Sequence, residues 1–230
     1  MFPSENSAKS PIVGLGHCRL SIEDLSDAGN QPLHINDGGV HAVINGEIYD
    51  HERIRNELEQ NHGCHFKGHS DSEVVVALYT VYGAPAFLDH LRGEFSLVIY
   101  DQRQGRIIAT RDRFGIKPLF WTIIDEEDER VLLFATEMKT FLAMGWKPKW
   151  DVQSVFQAGW IIDDRSLFKG VKKLMPGYWM ELTLPEGQLR RHLYWDSDYN
   201  DKVGLLPIKF GSQADRQIAT SGNPHCRGND

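Results

Sequence analysis

Apolar and polar residues alternate along this chain in two rhythms, and the rhythm changes at Gly93. Ahead of that point one β-branched run, His41 to Glu47, reads as a strand ending in Val43-Ile44-Asn45-Gly46-Glu47. An Asn-Gly step usually announces a hairpin. Here the sequence that follows is helical: Asp50 stands at the N-cap, Ile54 and Leu58 share one stripe, and Gly63 occupies the C-terminal cap. Ser70-Asp71-Ser72-Glu73 has the spacing of a capping box, opening a helix with Val74, Leu78 and Val81 on one side. A shorter helix over about Ala84 to Leu91 is expected to stop at Gly93.

Beyond Gly93 the period is two. Phe95 to Tyr100 and Arg106 to Thr110 should pair through the turn at Gln104-Gly105, and Leu119 to Ile124 with Val131 to Ala135 across Asp125 to Glu129. A helix from Glu137 to about Met144 and a mixed segment to Trp160 come next. Tyr178 to Leu184 and Leu189 to Trp195 then form a last hairpin through Pro185-Glu186-Gly187. Hairpins among separate helices indicate an antiparallel α+β domain. Residues 1–12 form a loose leader, although Ile12 to Ile22 is extended in character and interrupted by Gly14 and Gly16. A loop runs from Gln31 to Gly39. The domain is expected over 13–200, with a disordered tail over 201–230 that is rich in Gly, Ser, Asn and Pro. No internal repeat is present.

The composition narrows the partners. With 41% hydrophobic and 25% charged residues in 230, the chain is an ordinary globular sequence large enough for one sizeable domain. A net charge of −7 without a basic face argues against nucleic acid, and no apolar run approaches a membrane span. The first ten residues lack the apolar core of a secretory signal. Cys18, Cys64 and Cys226 are odd in number and widely spaced, which fits free thiols and a cytoplasmic location.

An Asn amide and a Gly N–H at the mouth of a strand can donate to one oxygen, the chemistry of an oxyanion hole; Asn45 and Gly46 are the candidates. The donors His62, Cys64, His65 and His69 match no closed tetrahedral metal spacing, so no metal site is expected there.

Six blocks carry a resemblance: Gly16-His17-Cys18-Arg19-Leu20-Ser21-Ile22, Gly29-Asn30-Gln31-Pro32-Leu33, Asn45-Gly46-Glu47-Ile48-Tyr49, His69-Ser70-Asp71-Ser72-Glu73, Leu91-Arg92-Gly93-Glu94-Phe95 and Arg111-Asp112-Arg113-Phe114-Gly115-Ile116-Lys117-Pro118-Leu119. In this order the series resembles the glutaminase domain of class II glutamine amidotransferases, of the asparagine synthetase branch, over about Val13 to Trp195. The resemblance implies a four-layer α/β/β/α sandwich of two antiparallel sheets, the N-terminal-nucleophile hydrolase arrangement. It also implies L-glutamine as ligand, with Arg19, Asn45, Gly46, Glu47 and Asp71 at the glutamine positions. Chemically, Arg19 suits the α-carboxylate with its two-pronged guanidinium. Asp71 suits the α-ammonium, and Asn45 with the Gly46 N–H suits the amide carbonyl.

The chain departs from that pattern in two places. The family's nucleophile is a cysteine exposed directly after the initiator Met, its own amine serving as base. This sequence reads Met1-Phe2-Pro3, and the family's opening strand is missing ahead of Val13. Cys18 should point away from Arg19 by strand alternation and has no terminal amine. The pyrophosphate loop of the ATP-using synthetase domain is also missing; Ser221-Gly222-Asn223 does not match it. The expectation is therefore an asparagine-synthetase-like glutamine amidotransferase domain, truncated at both ends and inactive as it stands. Its parent activity would be glutamine hydrolysis supplying ammonia to aspartate or another carboxylic acid. No cofactor is expected in this chain, since ATP and Mg belong to the synthetase domain, which makes a separate synthetase chain the expected partner. The alternative is a non-catalytic module that senses glutamine or binds a partner.

Overall fold

Period two after Gly93 builds the hairpins it predicts. In the computed structural model, which describes residues 12–35, 39–126, 129–157, 163–184 and 187–197, β3 (Gly93–Asp101) pairs with β4 (Arg106–Arg111) and β5 (Phe120–Glu126) with β6 (Glu129–Ala135). Likewise β8 (Tyr178–Thr183) pairs with β9 (Gln188–Leu193). Two earlier strands, β1 (Leu33–Ile35) and β2 (Val40–Ile48), and the two-residue β7 (Lys172–Lys173) complete two antiparallel sheets. The larger has the order β1-β2-β3-β4-β8-β9 and the smaller β6-β5-β7.

Alternation along the strands supplies two cores. Ala42, Ile44 and Ile48 of β2 with Phe95, Leu97 and Ile99 of β3 face α1 (His51–His62) and α2 (Glu73–Tyr82). The opposite face sends Val43, Val98, Ala109 and Met180 against Leu119, Trp121 and Phe134 of the smaller sheet's side. Helix α2 contacts α1, β1 and β2 and is buried almost all round, from Val74 to Tyr79. The apolar stripe expected on one side of this helix therefore extends around it. Fully burying one such aliphatic side chain contributes about 1.5–3 kcal/mol. Among the described residues the helices after β6 are short: the 3₁₀ helix Met138–Met144 in contact with β6, and the five-residue α3 (Val152–Phe156). The α+β class and the two antiparallel sheets are thus as expected from sequence.

Several local expectations are corrected. Strand β2 does not end at Glu47 but runs to Ile48 in register with Gly93, so Asn45 and Gly46 lie inside the ladder. Asp50 occupies the N-cap of α1 in a left-handed conformation, but its carboxylate caps no N–H; it pairs with Arg53. The capping box does not form. Glu73 accepts from the Lys67 and Gly68 amides (2.8 and 3.1 Å), because the folded-back loop brings two free N–H groups to it and Arg55 stands 3.6 Å away. The helices expected at 84–91 and 137–144 are 3₁₀ turns over Ala86–His90 and Met138–Met144. Gly93 opens β3 and Leu91 caps the turn before it. Ile12 to Ile22 is not paired into either sheet.

The described residues up to Asp196 make one compact unit. The leader up to residue 11, residues 158–162, Pro185-Glu186 and the tail expected over 201–230 lie outside the described residues. Among the described residues no helix is long and apolar enough to cross a membrane.

Candidate functional site

The site is built along one edge of β2. In an antiparallel ladder, residues alternate between pairs that exchange hydrogen bonds with the partner strand and pairs that turn N–H and C=O the other way. Tyr49 donates to the Arg92 carbonyl (2.8 Å), which fixes the odd-numbered residues of β2 as those bonded to β3. The even residues Ile44, Gly46 and Ile48 therefore present their backbone groups to the opposite edge, which β1 covers only over Val40–Ala42. Two of the three are occupied. The Gln31 amide caps Ile44, accepting from its N–H (2.6 Å) and donating to its carbonyl (3.0 Å). Ile48 donates to Asp71 Oδ2 (2.6 Å). Between them, the Gly46 N–H has no partner among the described residues.

Backbone geometry reserves this position for glycine. Gly46 has φ 138°, and a Cβ there would meet the Glu94 carbonyl oxygen and lie 2.7 Å from Phe95 Cα. The same close crossing recurs at Gly93, whose Cβ would press on the Glu47 carbonyl oxygen. Side chains at Asn45 and Glu47 share the opposite face from Ile44 and Ile48. The Asn45 amide makes no hydrogen bond among the described residues. Ser96, its partner in register, is 2% exposed with a hydroxyl that also lacks a partner.

Charge at the site is mostly negative. Glu47 stands opposite Glu94, and Lys117 Nζ is 3.7 Å from Glu94 Oε1. Burial, then the Asp71 and Glu23 carboxylates, push the Glu47 carboxyl above its ordinary value; Lys117 opposes and Glu94 adds to the shift. Asp71 is buried, and its Oδ1 accepts from the Ser72 N–H (2.6 Å) and hydroxyl (3.3 Å). Oδ1 also lies 3.5 Å from the Ser70 hydroxyl, whereas Oδ2 accepts, among the described residues, only from the Ile48 N–H and keeps a lone pair for a cation.

Arg19 is held by its own loop. The guanidinium donates to the carbonyls of Asp24 and Ser26 and to Asn30 Oδ1, and packs where a Gly29 side chain would be. Five N–H donors leave part of the fork free. Asp24 ties this loop to the helix side: Oδ2 accepts from the His69 N–H and Oδ1 from the Ser26 N–H, both at 2.8 Å. Hydrogen bonds from the Ser26 hydroxyl and the His69 and Ser26 amides hold its carboxyl well below the usual carboxylate range.

The structure places Asn45, Gly46 and Glu47 in succession on β2 and brings Asp71 to the same edge through the Ile48 N–H, whereas Arg19 is bonded within its own loop, to Asp24, Ser26 and Asn30, and to none of these four. Sequence reasoning missed Asp24, Gln31, Glu94, Ser96 and Lys117 as contributors. Gln31, Glu94 and Lys117 lay inside the quoted blocks; Asp24 carried no local signal. Neither described thiol joins the site's geometry. Cys18 is exposed between half-buried His17 and Arg19, as alternation predicts, and Cys64 packs against the helical core, where burial pushes its thiol up. Of the rejected metal donors, the His62 ring contacts the Tyr82 hydroxyl (3.3 Å), while His69 donates only its backbone N–H to Asp24.

Comparison with known families matches residues 4–195 to the glutamine amidotransferase domain. The chain belongs to that family. An amidase of Gibberella zeae, chry2, is 47% identical over 190 residues, and an amidase of Penicillium rubens, chyE, 46% identical over 191. Each alignment covers 83% of this chain and 27% of the relative. The glutamine-hydrolysing asparagine synthetase 2 of Bacillus subtilis is 34% identical, over 80% of this chain and 24% of that protein. The glutamine amidotransferase domain described here therefore spans about a quarter of the length of these relatives. In fold it is similar to the glutamine phosphoribosylpyrophosphate amidotransferase of B. subtilis, with a TM-score of 0.55 at 20% identity, over 79% of this chain and 34% of that one.

Proposed function

We propose that this domain binds L-glutamine and supplies the nitrogen-donor half of an amide-forming protein related to the asparagine synthetases. The single observation that carries the proposal is the unpartnered Gly46 N–H, held between the occupied Ile44 and Ile48 on the open edge of β2. An N–H fixed by a ladder and left without an acceptor is a preorganised donor. Together with the Asn45 amide it receives the side-chain carbonyl of glutamine, and the oxyanion that forms when that carbonyl is attacked. Asp71 and Glu47 take the α-ammonium, for which the surplus of carboxylates over Lys117 provides the charge. The remaining donors of Arg19 take the α-carboxylate.

In the parent reaction a thiolate attacks the amide carbon, ammonia leaves, and water releases glutamate from the thioester. The ammonia then amidates aspartate or another carboxylic acid, in a synthetase region of the same protein or in a separate synthetase chain that uses ATP and Mg. The domain itself needs no cofactor, and a cytoplasmic setting is part of the same proposal. The names of the relatives, two amidases and an asparagine synthetase, support amide chemistry at a carboxylic acid.

A second reading is favoured by the thiols. Cys18 and Cys64 lack a terminal amine beside them, and Cys64 is disfavoured as thiolate. The 230-residue polypeptide then holds glutamine without cleaving it and acts as a glutamine sensor or partner-binding module. Calorimetric titration with L-glutamine and with N-acetyl-L-glutamine tests both readings. Binding of the free amino acid and not of the acetylated one is expected; equal binding, or none of either, contradicts the assignment of Glu47 and Asp71.

A further inference from the structure

The outer edge of the larger sheet carries a second cluster that glutamine chemistry does not use. The even residues of β2 face β1, so Leu33–Ala42 and Ile35–Val40 are hydrogen-bonded pairs and His34–His41 is the non-bonded pair between them. Side chains approach most closely in such a pair. Here His34 Nδ1 and His41 Nδ1 are 3.2 Å apart, with the rings at 72° and their centroids 5.3 Å apart. Tyr100, opposite His41 on β3, stacks on the His41 ring at 6.1 Å and 18° and limits its rotation.

Two facing imidazole nitrogens must divide their roles, one giving an N–H and the other a lone pair. The same separation suits two nitrogens bound to one metal ion. With metal–nitrogen bonds of about 2.0–2.1 Å, neighbouring ligands stand about 2.9 Å apart at a right angle and about 3.4 Å apart at the tetrahedral angle. We propose that His34 and His41 form a cross-strand site for a transition-metal dication of the copper, nickel or zinc class. Both Nδ1 atoms donate lone pairs, and water completes the shell. On binding, the Nδ1 proton between the rings moves through solvent to Nε2 of the same ring, so both imidazoles stay neutral. Among the described residues no third His, Cys, Asp or Glu completes a set of three, which makes the site open and exchangeable. The ion staples three-residue β1 to β2 at the sheet edge.

Copper(II) is the most sensitive probe, since it heads the affinity order for nitrogen ligands. The chain has 10 histidines, so the assignment rests on variants: His34→Asn, His41→Asn and, as control, His62→Asn. Electron paramagnetic resonance of the full chain with one equivalent of copper(II) should show splitting from two imidazole nitrogens. His34→Asn and His41→Asn should each remove one of them and weaken binding by about tenfold or more, because the chelate is lost. His62→Asn should leave both spectrum and affinity unchanged, and circular dichroism should show all three variants folded. Unchanged affinity in either strand variant, loss in the control, or no wild-type binding below about 1 mM copper overturns the proposal.

Discussion

Replacing Gly46 by alanine perturbs the account at its tightest point. Two costs combine. At φ 138° an L side chain is strained, by about 1–3 kcal/mol. The new Cβ also overlaps the Glu94 carbonyl and lies 2.7 Å from Phe95 Cα. These are backbone atoms of a central strand, so relief requires β3 to move, as in an overpacked core at about 1–3 kcal/mol. The sum, about 2–6 kcal/mol, is a large part of the 5–15 kcal/mol typical of a domain. Gly63→Ala is the matched control: φ is 63° but nothing lies within 4 Å, so only the left-handed strain of about 1–2 kcal/mol remains. Urea unfolding of the full chain reads both. With a slope of about 2 kcal/mol per molar, Gly46→Ala should lower the midpoint by about 1–3 M and Gly63→Ala by less than about 1 M. Whatever folds of Gly46→Ala should not bind glutamine, since the displaced ladder moves the Gly46 N–H. Equal midpoints for the two variants, or wild-type glutamine binding by Gly46→Ala, would refute the close-crossing argument.

Three further outcomes are expected. The Tyr79 hydroxyl donates to Asp101 Oδ2 (3.1 Å), and burial, with Asp101 nearby, pushes its phenol up to about 12; the folded value exceeds the unfolded one near 10, so this contribution is complete below about pH 10 and fades as pH rises towards 12. Urea midpoints should fall over that window in wild type and fall less in Tyr79→Phe. Glutamine affinity should rise with pH as Glu47 ionises, with a half-point above the ordinary glutamate value, and Lys117→Met should move it higher still, because Lys117 favours the ionised form; calorimetry across pH 4 to 7 (about the range in which carboxylates titrate) decides it. The 230-residue polypeptide should release no glutamate from glutamine, and Cys18→Ala and Cys64→Ala should match wild type in a coupled glutamate assay; release abolished by either substitution contradicts the placement of those thiols.

What the sequence made legible was whatever depends on short-range pattern. The β3–β4, β5–β6 and β8–β9 hairpins follow from alternation, and α1 from Ile54, Leu58 and Gly63. Features settled outside the short-range pattern, by a folded-back loop or by distant strands, were not legible. Glu73 has the spacing of a capping residue, but the Lys67 and Gly68 amides compete for it and win. Asn45-Gly46 has the form of a strand end, yet pairing with Ser96 and Phe95 carries the strand on to Ile48. At the candidate site the residue types were readable. The edge that makes Gly46 an open donor was not, because it depends on Gln31 and Asp71 occupying its neighbours from 13 and 23 residues away.

The central claim, that glutamine sits against the open edge of β2, is tested most directly by mapping amide chemical shifts of the labelled 230-residue chain during a glutamine titration. The account predicts the largest saturable shifts at the Gly46 N–H and the Asn45 side-chain amide, smaller ones at Ile48 and Ser72, whose amides are bound to Asp71, and none at His34 or His41. A titration that leaves Gly46 and Asn45 unmoved while other amides shift to saturation, or that moves no amide at all, would contradict it.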